Sequence, residues 1–328
     1  MTLQATRLTR GRATCVLFVM DPLPKLDPVW DNSLALAREM AKRKIATWWV
    51  DSTEVYFEND RIFADARRFV PNARGGFRSA PPRRIDAKKF DFILLRKEPT
   101  FDSGYLHLTY LLECAQHVTR VVNDPRGVRN AMEKWAPILV QVPIPSTLIS
   151  TSAEKILTFQ KKHAGKIVLK RLDERGGRGV LILSQNTQTA RRQIKTLTDH
   201  GKIPAAAQTF IRSRRGADKR VLILDGRILG VFEKRPKRGE FRSNLSLGGS
   251  AWPTVLSPQE KRLGKNLIPW LRKNGLAVAG LDVMGGKLLE VNVTSPAGFT
   301  DLEALYPGGN FIAAWLDSLL HLPKQKPR

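Results

Sequence analysis

Three side chains with hard oxygen donors surround one tight turn in the stretch LDVMGGKLLEVNVTSP (281–296). Asp282 precedes the turn, and Glu290 and Asn292 follow it. A magnesium ion favours such donors and commonly fills its shell from a few carboxylates plus nucleotide phosphates. Glu290 and Asn292 stand two apart in a strand, so they share one face. Asp282 joins that face only in one pairing register. A two-residue turn at Gly285-Gly286 would set Asp282 opposite Leu289 and turn it away. A three-residue loop, Met284 to Gly286, sets it opposite Leu288 and on the Glu290 side. A slip of one residue reverses every side chain, so a shared metal site predicts a loop of odd length. The competing reading leaves Asp282 exposed and Glu290 salt-bridged.

A second group could handle phosphate. The loop DERGGRG (173–179) is flanked by strands on both sides. It therefore differs from the strand-to-helix glycine motifs that seat phosphate on a helix N-terminus, and it is expected to act as a hairpin flap whose amides fold over phosphates. Lys170 ends the strand before the flap, and Lys134 lies in RNAMEKW. Either lysine alone would be a solvated surface charge. Together with the flap and the carboxylate turn they form the outline of an ATP site.

The elements that must position these groups follow from periodicity. CVLFVM (15–20), ATWWVD (46–51), FDFILLRK (90–97) and RVVND (120–124) are strand-like, and they alternate with helix-period segments at 32–44 and 105–117. Such alternation argues for a parallel α/β sheet, with a boundary near 127 where Pro125 and Gly127 break the pattern. Beyond it, 166–184 makes two strands around the glycine loop, 206–211 another, and 219–234 a hairpin turning at Asp225-Gly226. SPQEKRLGKNLIPWLRKNG (257–275) is a helix with Ser257 as N-cap, Pro258 in its first turn and Gly275 as its stop. TDLE (300–303) has the form of a capping box, so the SPAGF turn before it is expected to offer amides to a carboxylate.

Length of 328 residues suggests about two domains. No apolar run approaches the roughly 18–20 residues that span a bilayer, so no membrane association is expected. Residues 1–14 carry arginines and no acids, and read as a basic extension. The two cysteines, Cys15 and Cys114, are read as reduced core thiols, which points to a cytoplasmic setting. The 55 Lys+Arg against 30 Asp+Glu give +25, which attracts polyanions and anionic substrates. Basic residues cluster at 67–68, 83–89, 212–220 and 233–242. No nucleic-acid motif or interleaving of aromatics accompanies them, so nucleic acid is not the expected partner.

Taken together, VMDP (19–22), LLRKEPTFD (94–102), VVNDP (121–125), NAMEK (130–134), ADKRVLILDG (217–226), FRSNLSLGG (241–249) and LEVNVTSP (289–296) resemble bacterial glutathione synthetase, an ATP-grasp ligase, over about residues 15–308. The resemblance implies an N-terminal parallel α/β (pre-ATP-grasp) domain followed by a two-lobed ATP-grasp domain. The corresponding boundaries are 15–127 for the substrate domain, 128–205 for the lid and 206–322 for the catalytic lobe, with a tail at 323–328. It implies ATP-driven ligation of γ-glutamylcysteine to glycine through an acyl phosphate, by a cytoplasmic homo-oligomer. Asp282, Glu290 and Asn292 would hold Mg²⁺ (or Mn²⁺). Lys134, Lys170, Gly176 and Gly177 would meet the nucleotide, as would Gln208, Thr209, Phe210, Ile211, Asp218 and Lys234; Lys234 stands where the family commonly has arginine. Arg220 would bind the peptide substrate, and Arg242 and Asn244 the transferring phosphoryl group. The loop 235–251 would close over the reacting groups and exclude water. The chain departs from the family at Val29-Trp30, where lysines are usual, and at Phe299-Thr300, where an Ile-Arg pair is usual; its flap is also more basic. Two other readings stay open: a grasp ligase for a different amino acid or peptide, and a non-catalytic nucleotide or nucleic-acid binding protein.

Overall fold

A computed structural model describes residues 14–322; the basic extension, apart from Thr14, and the tail at 323–328 lie outside the described residues. Three sheets organise them. In the first, Cys15–Met20 pairs in parallel with Ala46–Val50 on one side and Phe92–Arg96 on the other, and Arg120–Val122 continues the run. Most residues of these strands are apolar and buried because both faces are covered. The expected parallel α/β sheet is present and carries an antiparallel extension. Residues 55–86 add antiparallel strands around the long Arg61–Pro71, which pairs with Ala46–Val50, Val55–Glu58, Phe77–Ser79 and Arg83–Asp86. The basic composition conceals this sheet. Arg67, apparently surface charge, lies 5.0 Å over the Trp49 ring and pairs with Glu54 at 2.5 Å.

The second sheet is antiparallel, in the order Val180–Ile182, Ile167–Arg171, Ala205–Thr209, Thr147–Ser150. Helices Ala153–Lys162 and Thr187–Leu197 cover it, and Ile156, Leu169, Ile194 and Ala207 belong to its own small core. Ala205–Thr209 is hydrogen-bonded inside this sheet, to Ile167–Arg171 on one side and Thr147–Ser150 on the other.

The third sheet runs Ser250–Pro253, Arg227–Arg235, Asp218–Leu224, Val278–Met284, Lys287–Asn292. Asp225 (φ 47°) and Gly226 (φ 70°) make the expected two-residue turn. Helix Pro258–Lys273 begins at a capping box between Ser257 and Glu260. The first and third sheets share their hydrophobic core: Leu17, Leu95, Leu281 and Val291 lie in one cluster, and Phe18, Leu94, Phe232 and Phe299 in another. Polar staples reinforce it. Asn123 donates to the carbonyls of Val278 (2.7 Å) and Val293 (2.8 Å) and accepts from the Val278 amide (2.9 Å). The buried Arg96 donates to the Pro296 carbonyl at 3.0 Å and lies over Trp315.

Two further expectations change. Helix Phe299–Leu305 starts two residues earlier than TDLE implies and has no capping box; Gly298 is its N-cap. The amides of Gly298, Phe299 and Thr300 donate instead to Asn32 Oδ1, at 3.2, 2.8 and 3.3 Å. That helix end is already satisfied and offers no carboxylate site. Of the cysteines, Cys15 is half-buried and packs against the core, whereas Cys114 is exposed and is not a core thiol. Among the described residues no helix is long and apolar enough to cross a membrane.

Candidate active site

The turn that carries the oxygen donors has two residues, not three. Met284 pairs with Lys287, and Gly285 (φ 57°) and Gly286 (φ 72°) take the positive dihedrals of a type I′ turn. Register is restored by a β-bulge. Val283 pairs with Leu288 and Asp282 with Glu290, which leaves Leu289 as the extra residue. Asp282 therefore stands directly opposite Glu290, and Asn292 opposite Gly280 on the same face. The convergence arises as expected, but the odd residue sits in the strand.

Asp282 is buried among cations. Arg220 Nε donates to its Oδ1 at 2.7 Å, and Lys234 Nζ lies 3.0 Å from the same oxygen and 3.0 Å from Asp218 Oδ2. Asn292 Nδ2 is 3.4 Å from Asp282 Oδ2. A buried charge is tolerated only when paired and hydrogen-bonded, and this network supplies both. Burial alone would raise the Asp282 carboxyl, but Arg220 and Lys234 outweigh it and hold the group well below the ordinary range. Asp218 goes the other way: burial raises it, and the neighbouring Asp282 charge adds to that, against Lys234 and the Ser243 hydroxyl that donates to it. Glu290 is less encumbered, with Lys170 at 3.6 Å.

Two adjoining cavities meet here. The larger, about 410 Å³, is lined by Lys134, Lys170, Gly176, Gly177, Gln208, Thr209, Phe210, Ile211, Asp218, Lys234, Arg242, Asn244, Asp282 and Glu290. The smaller, about 190 Å³, adds Arg220 and Asn292 and shares Gly176, Lys234, Asn244, Asp282 and Glu290. Every sequence-predicted site residue thus borders one or both. Phe210 and Ile211 follow the end of strand Ala205–Thr209, whose Gln208 donates to Thr147 at 3.1 Å. Arg220 also donates to the Ala297 carbonyl at 2.9 Å, so its guanidinium is fixed rather than free. Donors from other elements grip the glycine loop: Lys134 Nζ bonds the Glu174 carbonyl, and Arg242 Nη1 the Gly177 carbonyl at 2.9 Å.

Sequence reasoning missed Glu133. It lies half-buried beside Lys134, accepts from Thr294 Oγ1 at 2.9 Å and borders the smaller cavity. Burial first, and Glu290 second, push its carboxyl up to about 7. Its signal was an acid adjoining the lysine in NAMEK. Ser243 and Glu98 were likewise present in the motifs quoted above.

The donor set of two carboxylates and one amide, facing a cavity of about 410 Å³ walled in part by lysines, suits a hard divalent cation whose remaining ligands come from nucleotide. Among the described residues no group of three His, Cys, Asp or Glu side chains could hold a metal ion without such help.

Residues 15–129 match the family model "Prokaryotic glutathione synthetase, N-terminal domain", and residues 133–307 match "Prokaryotic glutathione synthetase, ATP-grasp domain". Glutathione synthetase of Vibrio vulnificus (strain YJ016) is 34% identical over 296 residues, covering 88% of this chain and 92% of the relative. That of Parasynechococcus marenigrum (strain WH8102) is 34% identical over 290 residues, covering 88% and 94%. Among solved structures, D-cycloserine synthetase DcsG superposes with a TM-score of 0.66 at 17% identity, covering 93% of this chain and 99% of its own. The ATP-grasp ligase PsnB with a minimal precursor gives 0.61 at 16%, covering 94% and 100%. At such identities these two structures speak to fold alone.

Proposed function

Because the chain belongs to the prokaryotic glutathione synthetase family and is an ATP-dependent carboxylate–amine ligase, we propose that it joins γ-glutamylcysteine to glycine. The observation that carries this reading is the shared face of Asp282, Glu290 and Asn292 at the junction of the two cavities, beneath the glycine loop. The larger cavity would seat ATP, and the smaller the acyl and amine substrates.

A carboxylate oxygen is a poor leaving group, so the acid must first take the γ-phosphoryl group. Its oxygen attacks phosphorus and ADP departs. The amine then attacks the acyl carbon, phosphate leaves, and the amine proton passes to solvent. Such transfer depends on positioning and charge neutralisation. Lys134 and Lys170 bring positive charge to the phosphate end of the larger cavity, and Arg242 brings a planar guanidinium to the same cavity. Arg220 and Lys234 hold Asp282 ionised and aimed. Mg²⁺ or Mn²⁺ on Asp282, Glu290 and the Asn292 amide oxygen would neutralise phosphate charge.

Phosphate release and product formation with γ-glutamylcysteine and glycine, run against a panel of acids and amines, test the assignment. Turnover with another pair and none with this one rejects it. One observation favours that second reading. Thr300, where the family has arginine, donates its hydroxyl to the Trp30 carbonyl, and Phe299 is buried against Trp315. The position therefore presents no guanidinium to a substrate carboxylate. The resemblance also implies homo-oligomeric assembly, and light scattering that finds a single species near 36.9 kDa would exclude it.

A further inference from the structure

We propose that Arg175 is a positioning residue that fastens the glycine loop to the N-terminal lobe and so keeps water from the activated acyl group; this rests on the ligase reading above. Arg175 stands in the stretch that makes the flap unusually basic. Its Nη1 lies 2.5 Å from Glu98 Oε2, and its Nε donates to the Pro99 carbonyl at 2.6 Å. A planar guanidinium that engages a carboxylate and a carbonyl together fixes orientation as a lysine ammonium cannot.

The receiving surface is itself braced. The Glu98 amide donates to Asp21 Oδ2 at 3.1 Å, and Lys97 pairs with Asp21 as well. Two N-terminal motifs, VMDP and RKEPTFD, thus build one platform, and the flap rests on it. A backbone bond from the Phe101 amide to the Asp173 carbonyl, at 3.4 Å, runs alongside. Glu98, Pro99 and Arg175 form one wall of the smaller cavity, whereas Gly176 borders both cavities. Fastening Arg175 therefore settles the roof over the point where phosphoryl donor and acyl acceptor meet. Lys134 and Arg242 hold the loop from the catalytic side, and among the described residues Arg175 alone ties a loop side chain to the first lobe's RKEPTFD segment.

An acyl phosphate has two fates. Attack by an amine gives amide and phosphate; attack by water gives back the acid and phosphate, with ATP spent and nothing joined. Loosening the roof should favour water. The test compares wild type, R175A, R175K, E98R and the exchanged pair E98R/R175E, scoring phosphate released against amide formed with γ-glutamylcysteine and glycine. Wild type should release one phosphate per amide. In R175A the kcat for ligation should fall about tenfold, a size set by losing charge-assisted hydrogen bonds, while phosphate outruns amide and the melting temperature holds. R175K should recover only part of the coupling, and the exchanged pair more than either single reversal. R175A that ligates at the wild-type rate with one-to-one stoichiometry overturns the proposal. So does an exchanged pair no better coupled than E98R alone. If wild type turns over neither this pair nor any other, the ligase reading fails instead, and that outcome is visible before any variant is made.

Discussion

The carboxylate hairpin and the glycine loop face each other across one cavity and are held in opposite ways. On the hairpin side, side chains are buried and tied to one another: Asp282 to Arg220 and Lys234, Lys234 to Asp218, Asp218 to Ser243. On the loop side the bonds come from elsewhere, through the long arms of Lys134 and Arg242 to backbone carbonyls and through Arg175 outward to Glu98. The hairpin must present the same charge whether or not nucleotide is bound. The loop must let nucleotide pass and then return. A low-dielectric charge network suits the first task, and reversible contacts to main-chain oxygens suit the second.

Substitutions on the two sides should separate these roles. Glu290→Gln removes a ligand charge without removing volume. Ligation should drop by about a thousandfold, with unchanged far-UV dichroism and melting temperature; wild-type rates would contradict the metal assignment. Lys234→Met leaves Asp218 and Asp282 buried with one cation fewer, so stability should fall by roughly 3–5 kcal/mol, read as a lower denaturation midpoint. If that midpoint is unmoved, the hairpin is not the rigid partner.

Glu133 gives a pH-dependent contrast. Its carboxyl is raised by burial to about 7, so in the folded protein the neutral form is favoured. The stability this contributes is complete below the unfolded range, near pH 4.5, and is lost as pH rises through about 7. Glu133→Gln stays neutral throughout. Its stability relative to wild type should therefore improve between pH 4.5 and pH 8, by on the order of 3 kcal/mol. Parallel pH–stability curves for the two proteins would refute the shift. On the loop side, Gly177→Ala should cost least. Gly177 has φ +79°, and a Cβ there would come within 2.7 Å of Asn244 Oδ1 and 2.9 Å of Leu247. The loop would seat poorly, and the KM for ATP should rise about tenfold while the melting temperature changes little. A fall in melting temperature like that of Lys234→Met would erase the distinction between the two sides.

What could be read from sequence tracks the range of the interactions. Strand CVLFVM, the Asp225-Gly226 turn and the Ser257-capped helix are written in local residue types. The face shared by Asp282 and Glu290 was legible as a requirement, but its means was not, since a bulge at Leu289 and a longer turn answer the same need. The strands of residues 55–86 were hidden because Arg67 and Arg84 use aromatic rings and glutamates to live on a sheet. TDLE misled for a different reason. Asn32, 266 residues before Gly298, caps that helix from another lobe, and no window around TDLE contains it. Arg175 stood out as an excess of positive charge in the flap, while its partners Glu98 and Pro99 lie 76 residues or more away.

The shared core stitched by Asn123 has a consequence for how the chain comes apart. Since the first and third sheets bury their apolar faces in common clusters, neither can melt without stripping the other. The covered four-stranded sheet has a cluster of its own. Heat or denaturant should accordingly meet two cooperative units that cut across the linear order of the sequence: a large one made from its two ends, and a small one inserted between them.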